Sequence, residues 1–397
     1  MSRRAALAGG IAAASVFAAR RARAQAGAPL KIGYGLPRTG YLGVASPVAE
    51  QAYLLWGEQV NAAGGLAIAG GGRRRVQFVS YDDQSEPSKT AEIYEKLISD
   101  DAVDLLLAPY GTPFHIAIAP VIERNRFPVV AAATLSCLLR DMHMRHMWFA
   151  QPLPDAYGVI LAAFLAAQGV KSASVLTLQL PASLETRKYL LPALGKQGIT
   201  VALDQDYPNS TTDMTGMVSA VRQAHADAVI GLSYPQDSVL YVGAARELGI
   251  TTPVQLLLIG PGEPFFVKKF ARADLEGILT IGEWTPDQAR WPRARAFNDA
   301  YVARWKEPPD YLDSTVCYAS CEILAQAVAQ VGLDHDAITA AMQSMVFDTV
   351  KGPIKFRGVE NISTQPGLLQ FQNGALQIVW PPDIATAHFR PKTGWSL

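Results

Sequence analysis

Two loops carry the residue types best suited to holding a small anion. One is Ala108-Pro109-Tyr110-Gly111-Thr112, directly after the apolar run Val103–Leu107. The other is Ala132-Ala133-Thr134, after the run that follows Pro128. In open α/β sheets, ligands sit beyond the carboxyl ends of the strands, where loops and helix starts present free N–H groups. A hydroxyl beside a run of amides can hold a carboxylate through charge-assisted hydrogen bonds. Read without further context, Thr112 and Thr134 serve equally well as ordinary helix N-caps.

Other chemistries find less support. Met142-His143-Met144-Arg145-His146-Met147 brings soft ligands together, and His143 and His146 could share one helix face. With no further histidine nearby the segment reads as a surface connector before a strand at Trp148–Ala150, and no metal is expected. The sequence holds no GxSxG elbow, no HExxH and no Walker loop. Gly33-x-Gly35 is followed by Arg38 where a dinucleotide fingerprint requires glycine, and Gly40 comes too late, so no cofactor is expected. An enzymatic reading rests on fold analogy alone.

The elements that must position these loops alternate strand and helix. Strand-like runs are Leu30–Leu36, Val76–Tyr81, Val103–Ala108, Pro128–Ala132, Ser172–Thr177, Thr200–Gln205, Ala228–Leu232, Val254–Ile259 and Ile278–Ile281. Helical spacing lies between them, as in Val48, Ala52 and Leu55 or Ala91, Tyr94 and Leu97. Pro87 suits a first helical position, where its missing N–H costs little. Consecutive helices follow at 292–306, 313–331 and 335–346, then short strands and turns over 351–382. Nine strand units exceed one sheet, so the fold class is α/β with two doubly wound, Rossmann-like lobes. No Pro/Gly-rich linker divides the chain, which predicts that it crosses between the lobes about three times.

At 397 residues, 49% hydrophobic and 18% charged, the chain has ample material for two cores. No apolar run reaches the roughly 18–20 residues of a membrane span. Residues 1–24 read as a signal peptide: Arg3-Arg4, an Ala-rich stretch to Ala19, then Arg20, Arg21 and the cleavable triplet Ala22-Arg23-Ala24. The paired arginines resemble a twin-arginine leader, with Ala6 where that pattern usually carries Phe. Its removal takes away five arginines and no acid, moving the formal net charge from 0 to −5 and leaving no electrostatic attraction to nucleic acid. Cys137, Cys317 and Cys321 form no CxxC pair, and Cys317 and Cys321 lie four apart on a predicted helix. All three read as buried thiols.

The stretch Gly35-Leu36-Pro37-Arg38-Thr39-Gly40, the turn Asn61-Ala62-Ala63-Gly64-Gly65 and the strand end Tyr81-Asp82-Asp83-Gln84 resemble the leucine/isoleucine/valine-binding type of periplasmic solute-binding protein. The resemblance runs over about residues 28–395, to Val379-Trp380-Pro381-Pro382 and Ala385-Thr386-Ala387. It implies an N-terminal lobe of 28–150 with 282–350, and a C-terminal lobe of 151–281 with 351–397. It also implies an exported, periplasmic receptor that passes an amino acid or related carboxylate to the membrane permease of an ABC importer. A ligand-binding sensor of the same fold is the alternative, and an α/β enzyme a remote one.

By the same resemblance, Tyr110, Gly111 and Thr112 with Ala132, Ala133 and Thr134 grip the ligand, Ala132 through its carbonyl. Gly231-Leu232-Ser233-Tyr234-Pro235 resembles a GGYYP-type turn that places Tyr234 over the ligand; its plainer reading is a rim tyrosine. Ile259-Gly260-Pro261-Gly262-Glu263 resembles the loop whose acid meets the ligand's ammonium, but with Gly and Glu transposed, so Glu263 either reaches in or caps the helix from Pro264. Ala182 takes a tyrosine's place and Gln151 an arginine's, which implies a roomier, less polar cleft and a bulky or aromatic ligand. Tyr41, Phe114 and Trp284 are the loop aromatics expected to line the added space.

Overall fold

The computed structural model describes residues 27–396; the proposed leader lies outside them. Parallel strands dominate two separate groups. In the first, Leu30–Leu36 runs between Val76–Asp82 and Leu105–Leu106, pairing in parallel with both. A companion sheet pairs Val129–Ala131 in parallel with Met147–Phe149, then adds Glu360–Asn361, Gly352–Arg357 and Val346–Thr349. The second group is one seven-stranded sheet. Its parallel core runs Thr200–Tyr207, Ser172–Leu178, Ala228–Leu232, Val254–Leu257, Ile278–Ile281, and the antiparallel strands Leu368–Gln372 and Ala375–Trp380 complete one edge.

All nine strand-like runs become strands; most offer contiguous apolar residues buried on both faces, whereas Thr200–Tyr207 alternates exposed and half-buried residues at a sheet edge. Val103–Ala108 contracts to Leu105–Leu106, although Leu107 still donates its N–H to Gly33. The small antiparallel pair Leu66–Ile68 and Gly72–Arg74 was not anticipated, since its strands are three residues each and carry no apolar alternation.

One boundary is corrected. The whole of 351–397 was expected in the C-terminal lobe. Instead 352–361 pairs with Met147–Phe149 of the first group, so the chain crosses back only between Asn361 and Leu368. The two earlier passages lie near Ala150 and Gly282, where the first group's strands give way to the second's and back.

The helix Asp313–Val331 begins where the sequence places it and buries residues on nearly every face. It packs on the helix Pro47–Ala62 and so belongs to the first lobe, although it follows most of the second in sequence. Its buried residues include Cys317 and Cys321; these and Cys137 are free thiols. Among the described residues no single helix is long and apolar enough to cross a membrane.

Candidate functional site

Both parallel sheets reverse their strand order beside a central strand, and such switch points open a crevice at the strands' carboxyl ends. In the first lobe the reversal lies between Leu30–Leu36 and Leu105–Leu106, and the loops beyond these strands carry Leu42 and Tyr110 to Thr112. In the second it lies between Ser172–Leu178 and Ala228–Leu232, with Ala182 and Tyr234 just beyond. The two crevices face each other around a cavity of about 20 Å³. Tyr110, Gly111, Thr112, Ala133, Thr134, Gln151, Ala182 and Tyr234, all singled out from the sequence, line it.

Neither threonine is an N-cap. Gly111, at φ 99°, caps the helix Thr112–Asn125, and Ser136 caps Cys137–Asp141. The Thr112 hydroxyl instead ties the two loops together: it accepts the Leu135 N–H at 3.0 Å and the Thr134 hydroxyl at 3.3 Å. The Gly111 N–H donates to the Ala133 carbonyl at 3.0 Å. The Gly111 amide, expected to face a ligand, and the neighbouring Leu135 amide are thus already paired within the lobe.

Across the cleft, Tyr234 precedes the helix Pro235–Glu247, its own N–H held by Asp237 at 2.8 Å. Its ring is buried against the cavity, with its hydroxyl beside Thr112 and the Ala182 backbone. Burial pushes that phenol up, and these two contacts pull it back in part. Tyr234 therefore closes the cavity instead of sitting on its rim.

Five expected residues lie outside the lining, Glu263, described below, among them. Ala132 is packed in the core one position short of the turn, and Ala133, at φ 54°, faces the cavity in its place. Phe114 lies on the buried side of its helix, behind Gly111. Trp284 fills the interior, donating Nε1–H to the Val350 carbonyl at 2.9 Å with its ring against Phe297 and Tyr311. Tyr41 sits outside the cavity, its hydroxyl donating to Asp237 of the opposite lobe at 2.7 Å. The expected roominess is also absent: Leu42, Leu135, Ile259 and Leu312 occupy the space, leaving room for about one water. The His-Met segment is not helical past Asp141. There His146 pairs with Glu123 at 3.2 Å while His143 points to solvent.

Glu263 precedes the helix Pro264–Val267 but gives it no side-chain cap. Its carboxyl turns toward the first lobe and accepts the Tyr110 hydroxyl at 3.1 Å. Behind Tyr110 stand two acids that sequence reasoning missed. Asp310 accepts the Leu312 N–H at 2.9 Å and that of Asp313, and Asp313 itself lines the cavity. Burial, then the charges of Asp310 and Asp313, push Glu263 well up. Burial and Asp310 push Asp313 up to about 7. Lys351, a buried cation in the turn between Val346–Thr349 and Gly352–Arg357, forms an ion pair with Glu283 beside the crossing at Gly282. An acid opening a helix reads as routine dipole compensation. The available signal was that only two of this helix's 19 residues, Asp313 and Glu322, are charged, which suits a helix whose first turn lies inside the protein.

The two lobes also touch directly. Glu185 accepts the Ser136 hydroxyl and the N–H groups of Cys137 and Leu138 at 2.6–3.0 Å, and Lys268 pairs with Glu307 at 2.6 Å.

A family model described as periplasmic binding protein matches residues 29–370. The chain belongs to that family. Its relatives include Leu/Ile/Val-binding protein homolog 7 of Brucella melitensis, 22% identical over 95% of this chain and 98% of the relative. Among solved structures, the branched-chain amino acid transporter substrate-binding protein LivJ of Streptococcus pneumoniae, in complex with isoleucine, superposes with a TM-score of 0.80. It is 19% identical and covers 89% of this chain and 100% of its own. A solute-binding protein of an ABC transporter from Rhodopseudomonas palustris, in complex with 3,4-dihydroxybenzoic acid, superposes at 0.77. It is 17% identical over 88% of this chain and 95% of its own. The fold of this periplasmic binding protein is accordingly that of the type I class.

Proposed function

We propose that this protein is the exported binding component of an ABC importer, which holds an amino acid or related small carboxylate between its lobes and presents it to a membrane permease. The observation that carries the reading is the cavity itself, sealed between the switch points of two sheets and walled by Thr112, Thr134 and Tyr234. Its volume is too small for a ligand to enter the closed arrangement, so capture requires the lobes to part and re-close. Closure is then favoured by whatever the ligand touches on both lobes at once. The permease would read the closed form.

Thermal unfolding against a panel of α-amino acids and small carboxylates tests this. A ligand that binds only the folded state at one hundred times Kd adds about 2.7 kcal/mol. Stabilisation by at least one panel member, lost in Tyr234→Ala, is the expected result. An unmoved transition across the whole panel would remove the reading.

A further inference from the structure

Asp313 is the one charged side chain in the lining of the cavity. It is 5% exposed, on the first turn of a helix that is buried at every residue from Asp313 to Leu324. No lysine or arginine lines the cavity beside it.

The hydrogen-bond balance of the walls is also one-sided. Thr134 gives its proton to Thr112, Tyr110 gives its proton to Glu263, and the Gly111 and Leu135 amides are paired, which leaves the Tyr234 hydroxyl as the wall's remaining hydroxyl donor. The buried acceptors fare differently. Gln151, 2% exposed, donates Nε2–H to the Thr134 carbonyl at 2.8 Å, which fixes the amide's orientation and leaves Oε1 without a donor. Glu263 Oε2 is likewise buried and unpartnered. Unpaired buried acceptors cost free energy until a donor arrives, and a charged donor suits a carboxylate best. A protonated amine brings three N–H donors and a positive charge.

We propose that Asp313, assisted by Gln151, recognises a protonated amine on the ligand, so that the cleft selects amine-bearing carboxylic acids over amine-free ones. This rests on the cleft being the ligand site. An amine-free carboxylate would place its only charge in a closed space with Asp313 and no cation. The titratable groups facing Asp313 are the hydroxyls of Tyr110, Tyr157 and Tyr234, the Cys317 thiol, Asp310 and Glu263, with Lys351 acting from outside the lining. Held up to about 7 by burial and Asp310, Asp313 gives up its proton when a cation docks, so binding of an amine weakens as pH falls below 7.

Titration calorimetry with matched pairs differing only in the amine tests this: leucine against 4-methylpentanoate, and phenylalanine against 3-phenylpropionate. The amine-bearing member is expected to bind at least about tenfold more tightly, with affinity falling toward tenfold per pH unit below pH 7. In Asp313→Asn the preference shrinks about ten- to hundredfold and the pH slope flattens, the worth of a charged hydrogen bond. Unliganded melting of the variant confirms that it folds. The pH slope of the unaltered protein is an independent reading. Equal binding of both members, or an Asp313→Asn protein that keeps preference and slope, overturns the inference while the cleft stands. Binding of no member by the unaltered protein overturns both.

Discussion

The hydroxyl of Tyr41 reaches from the first lobe to Asp237 of the second, 2.7 Å away, and shares that buried carboxylate with Tyr207 at 3.0 Å and the Tyr234 N–H at 2.8 Å. Asp237 therefore organises the second lobe's side of the cavity and latches it to the first. Glu185, meeting Ser136, Cys137 and Leu138, is a second latch on the same seam.

These contacts favour closure independently of ligand, so weakening them shifts the population toward open lobes. Tyr41→Phe combined with Glu185→Ala is expected to enlarge the unliganded radius of gyration in solution scattering. It should also weaken ligand affinity about tenfold, as expected when the competent form is rarer. An unchanged radius and affinity would show that the seam contributes nothing to closure.

The Lys351–Glu283 pair is almost wholly buried. Replacing Lys351 with Met strands the Glu283 carboxylate, which keeps only the Tyr157 hydroxyl at 3.3 Å. We expect a loss of about 3–5 kcal/mol in chemical denaturation, largely recovered when Glu283→Gln is added.

His115 is fully buried, with Nδ1 2.9 Å from the Gly111 carbonyl and Nε2 unpartnered. Burial lowers it to about 4. The unfolded chain takes up this proton near pH 6.5 and the folded one only near 4, so the protein loses stability as pH falls through that window. The expected contribution is about 3 kcal/mol, and denaturation series on His115→Gln should show a flatter slope between pH 6.5 and 4.

Asp313 runs in the opposite sense. Its folded value lies above the unfolded one, so the native state is disfavoured as pH rises from about 4 to 7. Asp313→Asn is expected to melt higher than the unaltered protein at pH 8 without ligand, and to approach it at pH 4. A lower melting point at pH 8 would mean the carboxylate is structurally required.

Gly158 lies where the helix Pro154–Ala167 meets Pro181–Lys196, and a Cβ there would come within 2.8 Å of the Leu190 backbone nitrogen. Backbone cannot yield as a side-chain tip can. Gly158→Ala should cost about 1–3 kcal/mol in denaturant titration.

Much of this architecture is legible because apolar runs such as Ala228–Leu232 and Ile278–Ile281 have no other use than a strand buried on both faces. The hydroxyl loops were found for the same reason, since they follow such strands. Trp284 was misplaced because a tryptophan just after a strand looks the same whether it turns to the cleft or to the core; only the approach of Phe297 and Tyr311 decides it. Asp313 and Lys351 stayed hidden because charge beside a turn normally means solvent. Their burial depends on neighbours brought in from distant parts of the chain.

The helix Asp313–Val331 has a consequence for how the molecule is made. A chain read out from its N-terminus would make the first lobe's strands up to Met147–Phe149, then five of the second sheet's seven strands, before the helix that closes the first lobe exists. Until residue 331 has appeared, Tyr53 and its neighbours on Pro47–Ala62 lack their partner. The lobe begun first is thus finished late, and its exposed apolar face is the nascent protein's principal aggregation hazard.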